Sequence, residues 1–149
     1  WGMRRNLVNA ARLLIGLVLF INLQCALSFI IAPGKFAPGF ELFGAPGNGM
    51  IRGMGILFLM WNVPYAAAFT DPVRWKMSLY EAVAMQAIGL VGETLLFMTF
   101  PDGRAEIRRS VARFITFDGA GLAALLMAVW MVRKNKANAS FDAAPLPHQ

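Results

Sequence analysis

Two residue types that serve most redox and metal sites are nearly missing from this sequence, which has one cysteine and one histidine. Because Cys25 stands alone, the chain can form neither an internal disulfide nor a CxxC redox pair. His148 lies next to the C-terminal residue, so no apolar segment carries a histidine that could bind haem, chlorophyll or a metal ion. We therefore predict no metal site, and membrane disulfide exchange and bis-histidine haem electron transfer are disfavoured.

Charged residues are also scarce, at 15% of the 149 residues, against about a quarter in typical soluble proteins. Hydrophobic residues reach 58%, and the mean hydropathy is +0.55. About 20 apolar residues in a helix cross the hydrocarbon core of a bilayer. The sequence therefore predicts an all-α membrane protein, a bundle of four antiparallel transmembrane helices at about residues 7–32, 50–69, 78–100 and 112–132. Residues 137–149 are polar and are predicted to form a flexible C-terminal tail.

The connection between the first two predicted spans, Pro33–Gly49, is dense in proline and glycine. Both residue types interrupt helices, so this segment is predicted to be a loop. Phe36, Phe40, Leu42 and Phe43 are interleaved with them. We therefore expect the loop to lie on the membrane interface or to pack over the bundle.

The net charge of +6 comes from basic residues that flank the apolar segments. Anionic head groups and the excess of Lys and Arg in cytoplasmic loops account for such residues, so nucleic acid is not an expected partner. Eight Lys and Arg residues lie on the side of both termini and six on the other side. We expect a bacterial inner (cytoplasmic) membrane protein with both termini in the cytoplasm. The first apolar run is too long for a signal peptide, so we expect it to be retained.

Few polar residues interrupt the predicted spans, and four of them fall near one layer in the outer half of the bilayer: Gln24, Arg52, Glu93 and Asp118. A charged side chain inside a membrane costs roughly 2.5 to 3.5 kcal/mol on insertion scales, so these residues should face the bundle interior. The favoured interpretation is an ion-pair network, with Glu93 paired to Arg52, that fixes helix packing. The alternative is a polar pocket that holds a ligand head group or a proton.

A second group lies nearer the bilayer centre and comprises Trp61, Asn62, Pro64, Tyr65 and Gln86. Asn62 and Gln86 are at similar depth, so an interhelical amide hydrogen bond is the simpler interpretation. Pro64 removes a helical hydrogen bond and frees a carbonyl that Asn62 could satisfy. The aromatic residues beside this kink could line a cavity for a quinone, carotenoid or lipid tail. Simple filling of space is the interpretation that we favour.

Small residues recur at spacings that let helices approach closely, as in Gly49/Gly53 and Ala124/Ala128. Such faces exceed what one small bundle needs, so we expect some of them to contact another chain. The sequence has no phosphate-binding glycine loop, no Ser/His/Asp set and no HExxH motif. We therefore predict that the protein is not an enzyme.

The layout has a basic N-terminus that enters a Leu-Leu-Ile-Gly-Leu run at Leu13–Leu17, four spans in under 150 residues and a long first outer loop. In this it resembles the small four-span bacterial membrane proteins of the DoxX-like and BphX-like kind. The resemblance implies a helical bundle and, for some members, a role beside membrane oxidoreductases as an accessory subunit. It assigns no functional residue to this chain.

Three functions are compatible with this pattern. The leading hypothesis is a non-catalytic accessory or scaffold subunit of a larger membrane assembly, with an energy-converting complex as one candidate. Its partners would be membrane lipids and other membrane chains, in a hetero- or homo-oligomer. The alternatives are a binding protein for a hydrophobic small molecule and a small proton-coupled carrier that uses Glu93. No cofactor is predicted, and a lipid, quinone or carotenoid is the candidate ligand.

The predicted orientation can be tested by cysteine labelling. With both termini inside, the segment Pro33–Gly49 lies outside the cell. A single cysteine introduced as Glu41→Cys is expected to react with a membrane-impermeant reagent that is added from the outside. Its labelling by a reagent confined to the cytoplasm would contradict the assignment.

Overall fold

The computed structural model describes residues 2–142, and the side chains of residues 6–137. Nearly all of this chain is helical: α1 (Gly2–Ile31), α2 (Pro33–Phe36), a 3₁₀ turn (Ala37–Phe40), α3 (Gly44–Thr70), α4 (Lys76–Thr99) and α5 (Ala105–Asp142). Four of these helices, α1, α3, α4 and α5, are long and apolar enough to cross a membrane. A helix satisfies its backbone polar groups internally, as the bilayer core requires. The predicted all-α bundle of four spanning helices is confirmed.

The four spanning helices form a ring in which each contacts two neighbours. α1 packs against α3 and α5, and α4 packs against the same two helices from the other side. Neighbours are antiparallel, because Gly16 meets Phe69 while Gly55 meets Ala26, so the numbering of α1 and α3 runs in opposite directions. Within residues 2–142, the backbones of the diagonally opposite helices do not approach closely. This arrangement leaves a space between the helices.

The interface between α1 and α3 is the most extensive, and two glycines permit it. A Cβ on Gly55 would lie 2.8 Å from the carbonyl oxygen of Ala26, and one on Gly16 would lie 2.7 Å from the Phe69 ring. In a hydrocarbon solvent, helix association depends on such close packing, because lipid tails are as apolar as leucine. The small residues here therefore serve contacts within the chain.

A buried apolar cluster fills the bundle at the end where α3 turns into α4. Its members include Ile15, Leu79, Leu125 and Ala128, each with at most 1% of its surface exposed. Ala128 is therefore packed inside the chain, and Ala124 is half-buried against the same cluster. Ala128 is thus already used inside the bundle and offers no free surface to another chain.

The segment between α1 and α3 is mostly helical, so the predicted loop at Pro33–Gly49 is shorter than expected. Pro33 stands in the first turn of α2, where its missing N–H has no helical partner in any case. The chain bends at Glu41 and Gly44, whose φ angles are 56° and 67°. Residues 33–43 pack over one end of the bundle, which we call the capped end.

Phe36, Phe40 and Leu42 pack against the bundle as predicted, whereas Phe43 is exposed. At the other end of the chain, α5 continues to Asp142 rather than ending near Val132. The start of the predicted polar tail is therefore helical. Residues 143–149, which complete that tail, lie outside the described residues.

The close approach of α1 and α3 gives a stability prediction. Gly55→Ala is expected to lower the free energy of unfolding by about 1 to 3 kcal/mol, because the added methyl overlaps α1. The matched control is Gly53→Ala on the same helix, where an added Cβ meets nothing within 4 Å. Denaturation in mixed micelles measures both variants. Equal stabilities of the two would contradict the packing described here.

Candidate ligand-binding cavity

A cavity of about 700 Å³ lies between the four spanning helices. All four helices and the segment of residues 33–43 contribute to its wall. Most lining side chains are apolar or aromatic, among them Met54, Met85, Ile88, Leu96 and Phe117. The polar side chains in the wall are Asn22, Cys25, Asn62, Tyr65, Gln86, Glu93, Asp118, Lys35, Ser110 and Arg113.

Five phenylalanines close the cavity at the capped end, and we call them the aromatic cap: Phe29, Phe36, Phe40, Phe58 and Phe114. Phe29 is buried at the centre, and its ring centroid lies 4.9 Å from that of Phe36 and 6.2 Å from that of Phe114. Tilted and edge-to-face pairs at such distances are favourable beyond the area that they bury. The side chains of Phe58 and Phe114 also connect α3 to α5 across the bundle, with ring centroids 5.9 Å apart.

The segment that supplies Phe36 and Phe40 is fastened to α5. The Ser110 hydroxyl is buried and donates a 2.6 Å hydrogen bond to the Gly39 carbonyl. A Cβ on Gly39 would lie only 3.0 Å from the Ser110 oxygen, so this contact favours glycine. Arg104, directly before α5, also forms an ion pair with Glu41. These contacts hold the aromatic cap over the cavity.

A set of polar contacts, which we call the polar chain, links one residue from each spanning helix: Asn22, Tyr65, Gln86 and Asp118. The Asn22 side chain on α1 lies beside the Tyr65 hydroxyl on α3. That hydroxyl donates to Gln86 Oε1 on α4 at 2.7 Å. Gln86 Nε2 in turn donates to Asp118 Oδ1 on α5 at 2.8 Å. Each polar group thereby avoids the several kcal/mol that an unpaired group costs in an apolar medium.

Two glycines allow the polar chain to form between α4 and α5. A Cβ on Gly89 would overlap the Asp118 carboxylate, which lies directly against the α4 backbone. A Cβ on Gly121 would lie 2.6 Å from Gln86 Nε2. A larger residue at either position would push the Asp118 or Gln86 side chain away. The two glycines therefore leave the room in which these side chains meet.

Two buried oxygen atoms in the cavity wall have no hydrogen-bond partner. They are Asn62 Oδ1 and one carboxylate oxygen, Oε2, of Glu93. Asn62 is only 4% exposed, and its amide nitrogen donates at 2.6 Å to the Phe58 carbonyl of its own helix. Both unpartnered atoms are hydrogen-bond acceptors, and buried acceptors without partners are rare in proteins.

Two acidic side chains line the cavity, and no described Lys or Arg side chain pairs with them. Glu93 lies two helical turns from Gln86 along α4, and it lines the same cavity as Asp118. Within the described side chains, no Lys or Arg lies within ion-pairing distance of either carboxylate. The basic residues of the wall, Lys35 and Arg113, are exposed at the capped end.

The cavity opens sideways between α3 and α4. This pair makes the least contact of the four neighbouring pairs. The two helices meet near the turn that joins them, where Tyr65 reaches Gln86. Farther from that turn they leave a gap, because nothing lies within 4 Å of a Cβ placed on Gly92. Trp61 on α3 and Ile88 on α4 line the cavity and are also 48% and 70% exposed. In a membrane, this gap faces the acyl chains.

The predicted cluster of four residues is only half formed. Glu93 and Asp118 lie together in the cavity, as expected. Arg52 is exposed and donates to the Ile30 carbonyl at 3.2 Å, so the predicted Arg52–Glu93 ion pair is wrong. Gln24 is exposed and lies outside the cavity wall. The four residues were grouped by their depth along the spans, and depth does not determine which way a helical residue faces.

In the second predicted group, Trp61, Asn62, Tyr65 and Gln86 line the cavity, whereas Pro64 does not. The predicted hydrogen bond between Asn62 and Gln86 is wrong. Gln86 is instead bonded to Tyr65 and Asp118, and Asn62 is bonded to Phe58. The hydroxyl of Tyr65 reaches across the gap between α3 and α4, which the shorter amide of Asn62 does not bridge.

Asn22 was missed by the sequence analysis, although a signal for it was present. The buried residues of α1 recur every three or four positions, as one helix face requires: Ala11, Ile15, Val18, Ala26 and Phe29. Asn22 continues this series four residues after Val18, while Gln24 falls on the opposite side of the helix. The spacing of apolar residues around a polar one, rather than its depth, would have identified Asn22.

Comparison of the chain with protein-family models, with curated proteins and with solved structures found no match. The resemblance to DoxX-like and BphX-like proteins therefore stays a prediction. No group of three or more potential metal ligands occurs among the residues that the structure describes. What the cavity can bind follows from its own volume, wall and hydrogen-bonding groups.

The polar chain predicts a specific effect of losing the Tyr65 hydroxyl. Tyr65→Phe leaves Gln86 Oε1 without its donor and is expected to lower the free energy of unfolding by about 0.6 to 1.7 kcal/mol. The control is Tyr80→Phe, because the Tyr80 hydroxyl makes only 3.4 Å contacts with Arg133 on the surface. Unfolding in lipid or mixed micelles measures the difference. An unchanged Tyr65→Phe variant would show that the polar chain does not hold the helices.

Proposed function

We propose that this protein binds a hydrophobic small molecule in the cavity between its spanning helices. The observation that carries the proposal is the cavity itself, at about 700 Å³ with a mainly apolar wall and a few convergent polar groups. Ligand sites are typically about 300 to 1,000 Å³ and have this kind of lining. The geometry thus favours the binding alternative over the scaffold hypothesis.

The size of the cavity also argues against an incidental packing defect. Protein interiors are packed as densely as organic crystals, with few voids larger than a water molecule. This space is also not sealed, because it opens between α3 and α4, where acyl chains or a dissolved ligand can enter it. Its size therefore supports a role as a binding site.

The position of the opening indicates where the occupant comes from. The aromatic cap closes one end, and the buried apolar cluster around Leu79 and Leu125 fills the other. The gap between α3 and α4 is the remaining route, and it is flanked by Trp61, Ile88 and Leu96. A ligand that reaches the cavity by this route is one that dissolves in the bilayer, such as a quinone, a carotenoid or a lipid.

A scaffold role remains a second candidate, because part of one small-residue face is free. Gly49 and Gly53 on α3 have nothing within 4 Å of an added Cβ. Neither residue lines the cavity. This face is open to a helix of another chain, so ligand binding and assembly can be tested at different residues.

The proposed binding can be tested by filling the cavity at Gly92. Gly92 lines the cavity and has nothing within 4 Å of its added Cβ, so the Cβ of Gly92→Leu is accommodated and the rest of the side chain takes up space at the gap. We expect this variant to lose the small molecule that copurifies with the wild-type protein, by about tenfold or more. Native mass spectrometry from nanodiscs, with extraction and identification of the bound molecule, is the measurement.

The matched control is Gly53→Leu, which is the same substitution at a glycine outside the cavity. Ligand binding predicts that Gly53→Leu keeps the bound molecule. The scaffold role predicts that Gly53→Leu weakens assembly with other chains while Gly92→Leu does not. Equal occupancy of the wild type and the Gly92→Leu variant would overturn the proposed binding function.

A further inference from the structure

We propose that the ligand carries a protonated amine at its polar end, so that the cavity selects lipophilic ammonium compounds over neutral or anionic amphiphiles. This inference rests on the proposed binding function and specifies its ligand class. It follows from three features of the wall, which are the unpartnered acceptors, the unneutralised carboxylates and the aromatic rings beside the opening.

The first feature is an excess of hydrogen-bond acceptors. Asn62 Oδ1 and Glu93 Oε2 are buried in the cavity wall without partners. The orientation of the Asn62 amide is fixed, because its nitrogen donates to the Phe58 carbonyl and a flipped amide would set two oxygens against each other. Only 4% of the surface of Asn62 is exposed, so bulk water does not satisfy this oxygen. A ligand at this wall must therefore donate hydrogen bonds.

The second feature is the sign of the charge in the wall. Glu93 and Asp118 face the same cavity, and Asp118 receives its hydrogen bond from the neutral amide of Gln86. No Lys or Arg in the described part of the chain lies within ion-pairing distance of either carboxylate. A cation that donates hydrogen bonds supplies the charge that the carboxylates lack, and its donors match the acceptors of the wall. An ammonium group, with three N–H donors and one positive charge, has this chemistry.

The third feature is the route along which such a ligand would lie. Trp61 and Phe58, with ring centroids 6.0 Å apart, stand on α3 beside the opening. Aromatic faces attract ammonium groups and also accept apolar chains. Ile88 and Leu96 form the facing wall on α4. The ammonium end would thus lie inside at Glu93, with the apolar body extending between α3 and α4 toward the lipid.

An anionic head group fits this cavity less well. The basic residues in the wall, Lys35 and Arg113, are exposed and lie at the capped end. An anion drawn to them would leave the buried acceptors unpartnered and would bring its negative charge near the acidic side chains Glu93 and Asp118. The basic residues also make an anionic probe a necessary comparison.

The test uses the full chain in phosphatidylcholine nanodiscs and four probes that share a dodecyl chain. Dodecylamine has charge and donors, dodecyltrimethylammonium has charge without N–H donors, dodecanol has a donor without charge, and dodecanoate is an anion. Native mass spectrometry measures occupancy as each probe is titrated. We expect dodecylamine to bind about tenfold or more tightly than each of the other three.

The variant arm removes the charge or the acceptor while keeping the number and branching of the side-chain heavy atoms. Glu93→Gln and Asn62→Leu are each expected to weaken dodecylamine binding by about 10-fold. The Glu93→Gln variant should lose much less affinity for dodecanol, because dodecanol forms no ion pair with Glu93. The matched control is Glu81→Gln, which is the same substitution on an exposed residue of α4 outside the cavity.

The outcomes separate this inference from the binding function on which it rests. If dodecanol or dodecanoate binds as tightly as dodecylamine, and Gly92→Leu still abolishes their binding, the cavity binds ligands but the ammonium selectivity is wrong. If no probe binds and the wild type carries no copurified molecule, both proposals fail. If Glu93→Gln does not fold, the comparison of the four probes on the wild type decides alone.

Discussion

Helices in a hydrocarbon solvent gain little from burying leucine against leucine, so their arrangement depends on contacts that lipid cannot replace. In this protein the main contact of that kind is the polar chain, which takes one side chain from each spanning helix. It sets the rotation of α4 and α5 about their axes, because Gln86 and Asp118 must face each other. Gly89 and Gly121 are then the residues that let these side chains fit.

The same constraint explains why the bundle is hollow. The apolar cluster around Leu79 and Leu125 closes the helices at one end, and the aromatic cap closes them at the other. Between these ends the polar chain holds the four helices in a ring, and two acceptors remain without partners. Those acceptors make a filled cavity more favourable than an empty one, because a ligand with donors supplies what the chain lacks.

The sequence sufficed for the number of spanning helices and their approximate bounds, since long apolar runs have few structural alternatives. It also identified Glu93, Asp118, Asn62, Tyr65 and Gln86, because polar residues in a bilayer are costly and tend to face inward. It did not assign their partners. Partner choice depends on helix rotation and on side-chain reach, and a depth estimate contains neither. Gln24 was therefore chosen in place of Asn22, and Arg52 was wrongly paired with Glu93.

The lateral opening between α3 and α4 affects how affinity should be expressed for this protein. A molecule that enters from the acyl region has already left water, so the protein samples its concentration within the lipid. Each added methylene shifts partitioning into the membrane by about 0.8 kcal/mol, or roughly fourfold, without touching the protein. Longer chains would therefore look like better ligands when referred to the aqueous phase. Mole fraction in the bilayer is the scale on which the contribution of the cavity itself can be read.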